Sequence, residues 1–152
     1  MDFRFLACAA VIGLGSALAM PATAGEVHEV EMLNSGADGP FVFEPNVLFI
    51  EPGDTVRWVP TNPSHNTASI EGMLPDGAEP WQSDINDPYE RTFEVEGVFG
   101  FKCEPHYRAG QVGLIVVGDN PDNLDAARAV EHPGQAGNRM AAYFDRVDDR
   151  LD

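Results

Sequence analysis

The chain has 152 residues, of which 25 are acidic and 9 basic, for a formal net charge of −16. That length suits one domain with a real core and is short for two. So acidic a surface, with its single lysine at Lys102, excludes nucleic acid and anionic membrane faces as partners, since both demand clustered basic residues.

The N-terminus does not belong to the domain. Arg4 precedes an apolar stretch from Phe5 to Met20, and Ala22-Thr23-Ala24 puts small residues where a signal peptidase reads. Residues 1–24 are therefore expected to be a secretory signal, leaving residues 25–152 as one mature domain. Gly and Ser interrupt the apolar stretch, which falls short of the roughly 20 residues a membrane span needs, so a retained anchor is the lesser alternative. Asp2 and Arg4 cancel, and the net charge stays at −16 after removal. Cys8 leaves with the signal. Cys103 is then the only thiol, no intramolecular disulfide can form, and a free thiol in an oxidising compartment must be buried or bound to metal.

Residues 26–118 read as short strands separated by turns, the pattern of a β-sandwich. Val47 to Ile50 and Leu114 to Val117 are continuous apolar runs, as in strands covered on both faces. Phe93 and Val95 alternate with Glu94 and Glu96, which predicts a half-buried strand. Turns are expected at Glu44-Pro-Asn46, Glu51-Pro-Gly-Asp54, Thr61-Asn-Pro-Ser64 and Leu74-Pro-Asp-Gly77. In Phe99-Gly-Phe101-Lys-Cys103 the odd positions share a face, so Cys103 follows two phenylalanines inward at a strand end. Beyond Gly118, Asn120-Pro121 predicts a helix start, followed by Leu124, Ala127 and Val130 at helical spacing. His132-Pro133 opens a second segment, with Met140, Phe144, Val147 and Leu151 on one stripe. The expectation is an all-β sandwich with two C-terminal α-helices.

Of the four histidines, His28 reads as a strand residue at the surface and His132 as a helix cap. His65 and His106 differ, because they bracket the lone thiol of Cys103 at separations that let two strand ends and a loop converge. One thiolate and two imidazoles with a weak fourth donor, here Gln111, suit a trigonal electron-transfer copper site. Structural zinc takes the same donors but wants a fourth strong ligand, and none remains after signal removal. A Cys-His nucleophilic dyad would lack an evident oxyanion loop and leave His65 without a role.

The runs Gly53-Asp-Thr-Val-Arg-Trp-Val-Pro-Thr61, His65-Asn66, Gly72-Met-Leu-Pro-Asp-Gly-Ala-Glu79, Gly97-Val-Phe-Gly-Phe-Lys-Cys103-Glu-Pro-His106-Tyr107 and Val112-Gly-Leu-Ile-Val-Val-Gly118 closely resemble the pseudoazurin family of cupredoxins. The resemblance extends over essentially the whole mature chain. It implies an eight-stranded Greek-key sandwich, one copper ion cycling between Cu(I) and Cu(II), a periplasmic location, and electron delivery to respiratory enzymes such as copper nitrite reductase. His65, Cys103 and His106 match the family's strong ligands. Asn66 matches the residue whose backbone amide bonds the thiolate sulfur. Gln111 stands where the family carries an axial Met, and Arg108-Ala109 replaces the usual small and Met residues. The family's lysine ring is reduced to Lys102. Glu104 beside the site and the overall charge point instead to a basic partner, such as a basic cytochrome, or to weakly steered docking, with Lys102 and Arg108 as a small positive island.

A carrier working as a monomer, not an enzyme, is therefore expected, with His106 as its electron port and Pro105 beside it. A copper-handling protein is the alternative class, though such proteins collect thioethers, and the mature chain has only the scattered Met32, Met73 and Met140. A metal-free binding scaffold is the third. The leader gives the first test: mass spectrometry of exported protein should find a chain beginning at Gly25, and retention of Met1 in a membrane fraction would contradict it.

Overall fold

A computed structural model describes residues 25–152; the expected leader, residues 1–24, lies outside the described residues. Eight strands form two four-stranded sheets. The first has the order β2-β1-β4-β6, from β1 (Val27–Gly36), β2 (Gly39–Glu44), β4 (Asp54–Val59) and β6 (Tyr89–Phe93). The second has the order β3-β8-β7-β5, from β3 (Val47–Ile50), β5 (Ala68–Ser69), β7 (Gly97–Lys102) and β8 (Val112–Val117). Two helices follow, α1 (Leu124–Arg128) and α2 (Gln135–Leu151). The architecture is the mostly-β sandwich with C-terminal helices that the sequence predicts.

The apolar pattern explains the layering. Every residue of β8 is buried, and its side chains alternate between two cores. Ile115 and Val117 join Trp58, Phe93, Phe99 and Phe101 between the sheets. Val112, Leu114 and Val116 meet Met140, Phe144 and Val147 under α2. Burying each of those three α2 side chains is worth about 1.5–3 kcal/mol, which holds a helix whose opposite face is polar. β3 pairs in parallel with β8, Val47 opposite Leu114, and so shares the doubly covered sheet.

Four local expectations shift. The strand over Phe93 and Val95 ends at Phe93, and Val95 is exposed, because the turn into Gly97 takes it off the sheet. Asn123, not Asn120, precedes α1; its side-chain amide bridges the backbone of Val98 through both its oxygen and its nitrogen, each at 2.8 Å, tying the helix to β7. His132 caps no helix: α2 starts after Gly134, and His132 Nδ1 shares a hydrogen bond with the Tyr107 hydroxyl at 2.7 Å. Burial holds His132 below the usual imidazole value, and so keeps the ring neutral.

His28 is no free surface residue either. Its Nε2 lies 2.9 Å from Asp54 Oδ2, while Asp54 also accepts from the backbone N–H groups of Glu26 at 2.8 Å and Glu51 at 3.1 Å. These bonds, the one from His28 foremost, hold the Asp54 carboxyl below its ordinary value of 3.8 despite opposing burial. A depressed carboxylate stabilises the fold above its unfolded pKa, and that contribution is lost as pH falls through the folded value. Asp54→Ala should therefore cost about 1.5–3 kcal/mol at neutral pH. Urea unfolding should show the gap to wild type shrinking below pH 4.

Candidate metal centre

Three elements of the second sheet's end converge at the top of the sandwich. Cys103 follows β7, whose Phe99 and Phe101 point into the inter-sheet core and carry the sulfur inward. His65 comes from the loop before β5, and His106 from the turn after Cys103, just before the short 3-10 turn Tyr107–Ala109. Cys103 and His65 are fully buried, whereas His106 is half-buried at the rim. One potential ligand atom from each lies within 4.8 Å of the others. Cys103 Sγ is 3.9 Å from His65 Nδ1 and 3.5 Å from His106 Nδ1, and the two Nδ1 atoms are 3.2 Å apart. Donors about 2.0–2.3 Å from a shared first-row metal have neighbours at about this spacing.

Gln111, buried with no exposed surface, completes the cluster. Its Oε1 sits 2.8 Å from His65 Nδ1 and 3.1 Å from His106 Nδ1. The amide orientation is fixed from behind, because Gln111 Nε2 donates to Val42 O at 3.0 Å. His65 Nε2 lies 2.9 Å from Asn34 Oδ1, so the neutral ring stands between two acceptors, Asn34 and Gln111, with one proton to give. One contact is left as acceptor facing acceptor, and a cation on Nδ1 would relieve it by placing the proton on Nε2, toward Asn34.

Without a metal the surroundings favour the neutral thiol over the thiolate. Burial pushes the Cys103 thiol up, while the backbone N–H groups of Asn66 and His106 donate to the sulfur and pull it down. Asn66 also locks the two ligand loops together: its Oδ1 accepts from Glu104 N at 2.8 Å and its Nδ2 donates to Ser83 O at 3.1 Å. His65 is pushed below its ordinary value, chiefly by burial, which keeps the imidazole neutral as a metal ligand must be.

Three contributors escape sequence reading. Asn34, thirty-one residues from His65, holds the far nitrogen of its ring. Phe41 stacks on the His106 ring, centroids 4.1 Å apart and planes 13° from parallel. Val42 supplies only a backbone carbonyl, which no sequence pattern announces. The positive island also shrinks. Lys102 Nζ is 2.8 Å from Glu104 Oε1 and 4.9 Å over the Tyr107 ring, which leaves Arg108 as the exposed cation of that loop.

Residues 30–118 match the model of copper-binding proteins of the plastocyanin/azurin family. The chain is 43% identical over 147 residues to a pseudoazurin of Methylorubrum extorquens, covering 97% of this chain and 99% of that one. It is 47% identical over 131 residues to a pseudoazurin of Paracoccus pantotrophus, covering 86% and 90% of the two chains. The crystal structure of pseudoazurin from Methylobacterium extorquens AM1 superposes with a TM-score of 0.78 at 42% identity, over 80% of this chain and 99% of that one. The chain belongs to the pseudoazurins. Pseudoazurins are blue-copper electron carriers of the cupredoxin fold, not enzymes, and bind one copper; His65, Cys103 and His106 together could hold a metal ion.

Proposed function

We propose that this is a periplasmic one-electron carrier whose copper is held by His65, Cys103 and His106, with Gln111 as a weak fourth donor. The observation that carries the reading is the convergence of four lone-pair donors whose orientations are fixed from outside the cluster, by Asn34 on His65 and by Val42 on Gln111. Bound copper supplies the Cu(I)/Cu(II) couple. The chain keeps the donor geometry the same for both charge states: Asn66 pins the two loops, and the N–H groups on sulfur spread the thiolate charge. Water is kept away by the complete burial of His65, Cys103 and Gln111.

His106 is the electron port, since it alone of the four reaches the rim, with exposed Pro105 beside it. The copper-store alternative is disfavoured by the methionines. Met32, Met73 and Met140 all lie in the core and offer no thioether at the surface.

Export after residue 24, expected from Ala22-Thr23-Ala24, would put the carrier beside respiratory enzymes, and copper nitrite reductase is the acceptor class implied by resemblance. The docking face bears on which surface of a partner it meets. The loop carrying exposed Asp84, Ile85 and Asp87 packs against the His65 segment, with Asn86 N donating to His65 O at 2.8 Å and Asn86 Oδ1 accepting from Ser64 N at 2.6 Å. Glu104 is exposed on the other ligand loop. Acids on two sides of the port fit a partner with a basic docking face, such as a basic cytochrome.

Three measurements follow from this reading. Cys103→Ser should fold yet lose the intense visible charge-transfer band of the copper-loaded protein; retained colour would remove the ligand assignment. Gln111→Met replaces a hard oxygen with a soft thioether, which favours Cu(I), and the axial donor is a lever on potential. Voltammetry should show the potential rising by about 59 mV, a tenfold shift between the two oxidation states for one electron. An equal or lower potential would show that Gln111 does not tune the metal. Stopped-flow transfer to a basic cytochrome should slow steeply as salt rises, because opposite charges steer the encounter. Faster transfer to an acidic nitrite reductase at low salt would overturn the partner assignment.

A further inference from the structure

We propose that Arg139, on the C-terminal helix α2, is a positioning residue of the copper centre: its guanidinium ties the segment bearing Phe41 and Val42 to the segment bearing Gln111. Arg139 Nη1 donates to Phe41 O at 2.7 Å and to Gly110 O at 2.8 Å. Its Nη2 donates to Pro40 O at 2.9 Å and to Asp38 O at 3.0 Å. Four carbonyls on two chain segments, 98 and 29 residues away, meet one cation that forms no ion pair among the described residues.

Each tied segment carries something the centre needs. Phe41 stacks on His106, and Val42 O fixes the Gln111 amide with its oxygen inward. Gly110 immediately precedes Gln111. The backbone here is unusual: Phe41 has a φ of 51°, a region L side chains seldom occupy, so the local sequence alone does not hold it. Gly110 has a φ of 100°, and a Cβ there would lie 3.0 Å from Arg139 Cδ, so the bare glycine lets the Arg139 side chain lie flat against the loop. A planar fork of five N–H donors can serve four carbonyls at once; a lysine cannot match that geometry. The C-terminal helix thereby sets the rear support of two donors.

The proposal rests on His106 and Gln111 facing the copper, but its first readout does not. Amide hydrogen exchange in the copper-free full domain should be about tenfold faster at Gln111, relative to the β7 amides, in both Arg139→Leu and Arg139→Lys. Arg139→Lys keeps the charge and the fold if Arg139→Leu proves too unstable to study. In the copper-loaded variants the intensity ratio of the thiolate charge-transfer bands should shift, and do so in Arg139→Lys as well, because the charge remains and the fork is lost. Arg128→Leu is the control. Arg128 lies 4.9 Å over the Phe144 ring and pairs with Asp148, so its loss should lower the melting temperature and leave both readouts alone. Wild-type exchange at Gln111 in Arg139→Lys, or equal acceleration in Arg128→Leu, would overturn the clamp. Accelerated exchange with an unshifted band ratio would overturn its link to the metal.

Discussion

Lone pairs that face one another repel, and the proposed metal centre is built around such a confrontation. His65 has one proton for two acceptors, Gln111 Oε1 at 2.8 Å and Asn34 Oδ1 at 2.9 Å, so one pair of lone pairs is left opposed. A loose loop would relax by turning a side chain away. Here three of the four donors have a second partner behind them, on Asn34, Val42, or the backbone N–H groups on sulfur, and Phe41 stacks on the fourth, His106. The rest of the fold can be understood as the frame that keeps this unfavourable cluster from opening, so that the cation is the easiest relief available.

That frame works because the second sheet is buried on both faces. β8 sends alternate side chains into two cores, so the strand that starts beside Gln111 cannot shift without disturbing the sandwich and the helical layer together. β7 likewise delivers Cys103 at the end of a run whose five leading residues are all buried. Dense packing transmits position well and yields little. A site meant to carry charge without rearranging gains from being bolted to the least compliant part of the molecule.

Much of this was legible in the residues. The alternation Phe99, Phe101, Cys103 told which way the sulfur points, and the unbroken apolar runs at Val47–Ile50 and Leu114–Val117 told that a second layer must cover that sheet. The methionine-to-phenylalanine-to-valine stripe located α2. What stayed hidden has a common physical cause: it depends on contacts made by groups with no sequence signature. A backbone carbonyl at Val42, an amide at Asn34 and an aromatic face at Phe41 belong to strand residues whose identities mark no site. His132 and His28 were misread because an imidazole's role is decided by the partner it meets, Tyr107 or Asp54, and both partners are distant in sequence. The helix start at Asn120-Pro121 failed because Asn123 offered its side chain to β7 instead.

The charge of this molecule has one further bearing. Two copies approaching port to port would bring Asp84, Asp87 and Glu104 of each against the same acids of the other, with a net −16 behind each face. Like-charged surfaces meet rarely at low ionic strength. Electrons would then seldom hop between reduced and oxidised copies, and a crowded pool of carriers would behave as separate wires instead of one conducting solution. Insulation from its own kind would thus come from the same acidic rim that is proposed to select a partner, and it would fade as salt screens the rim.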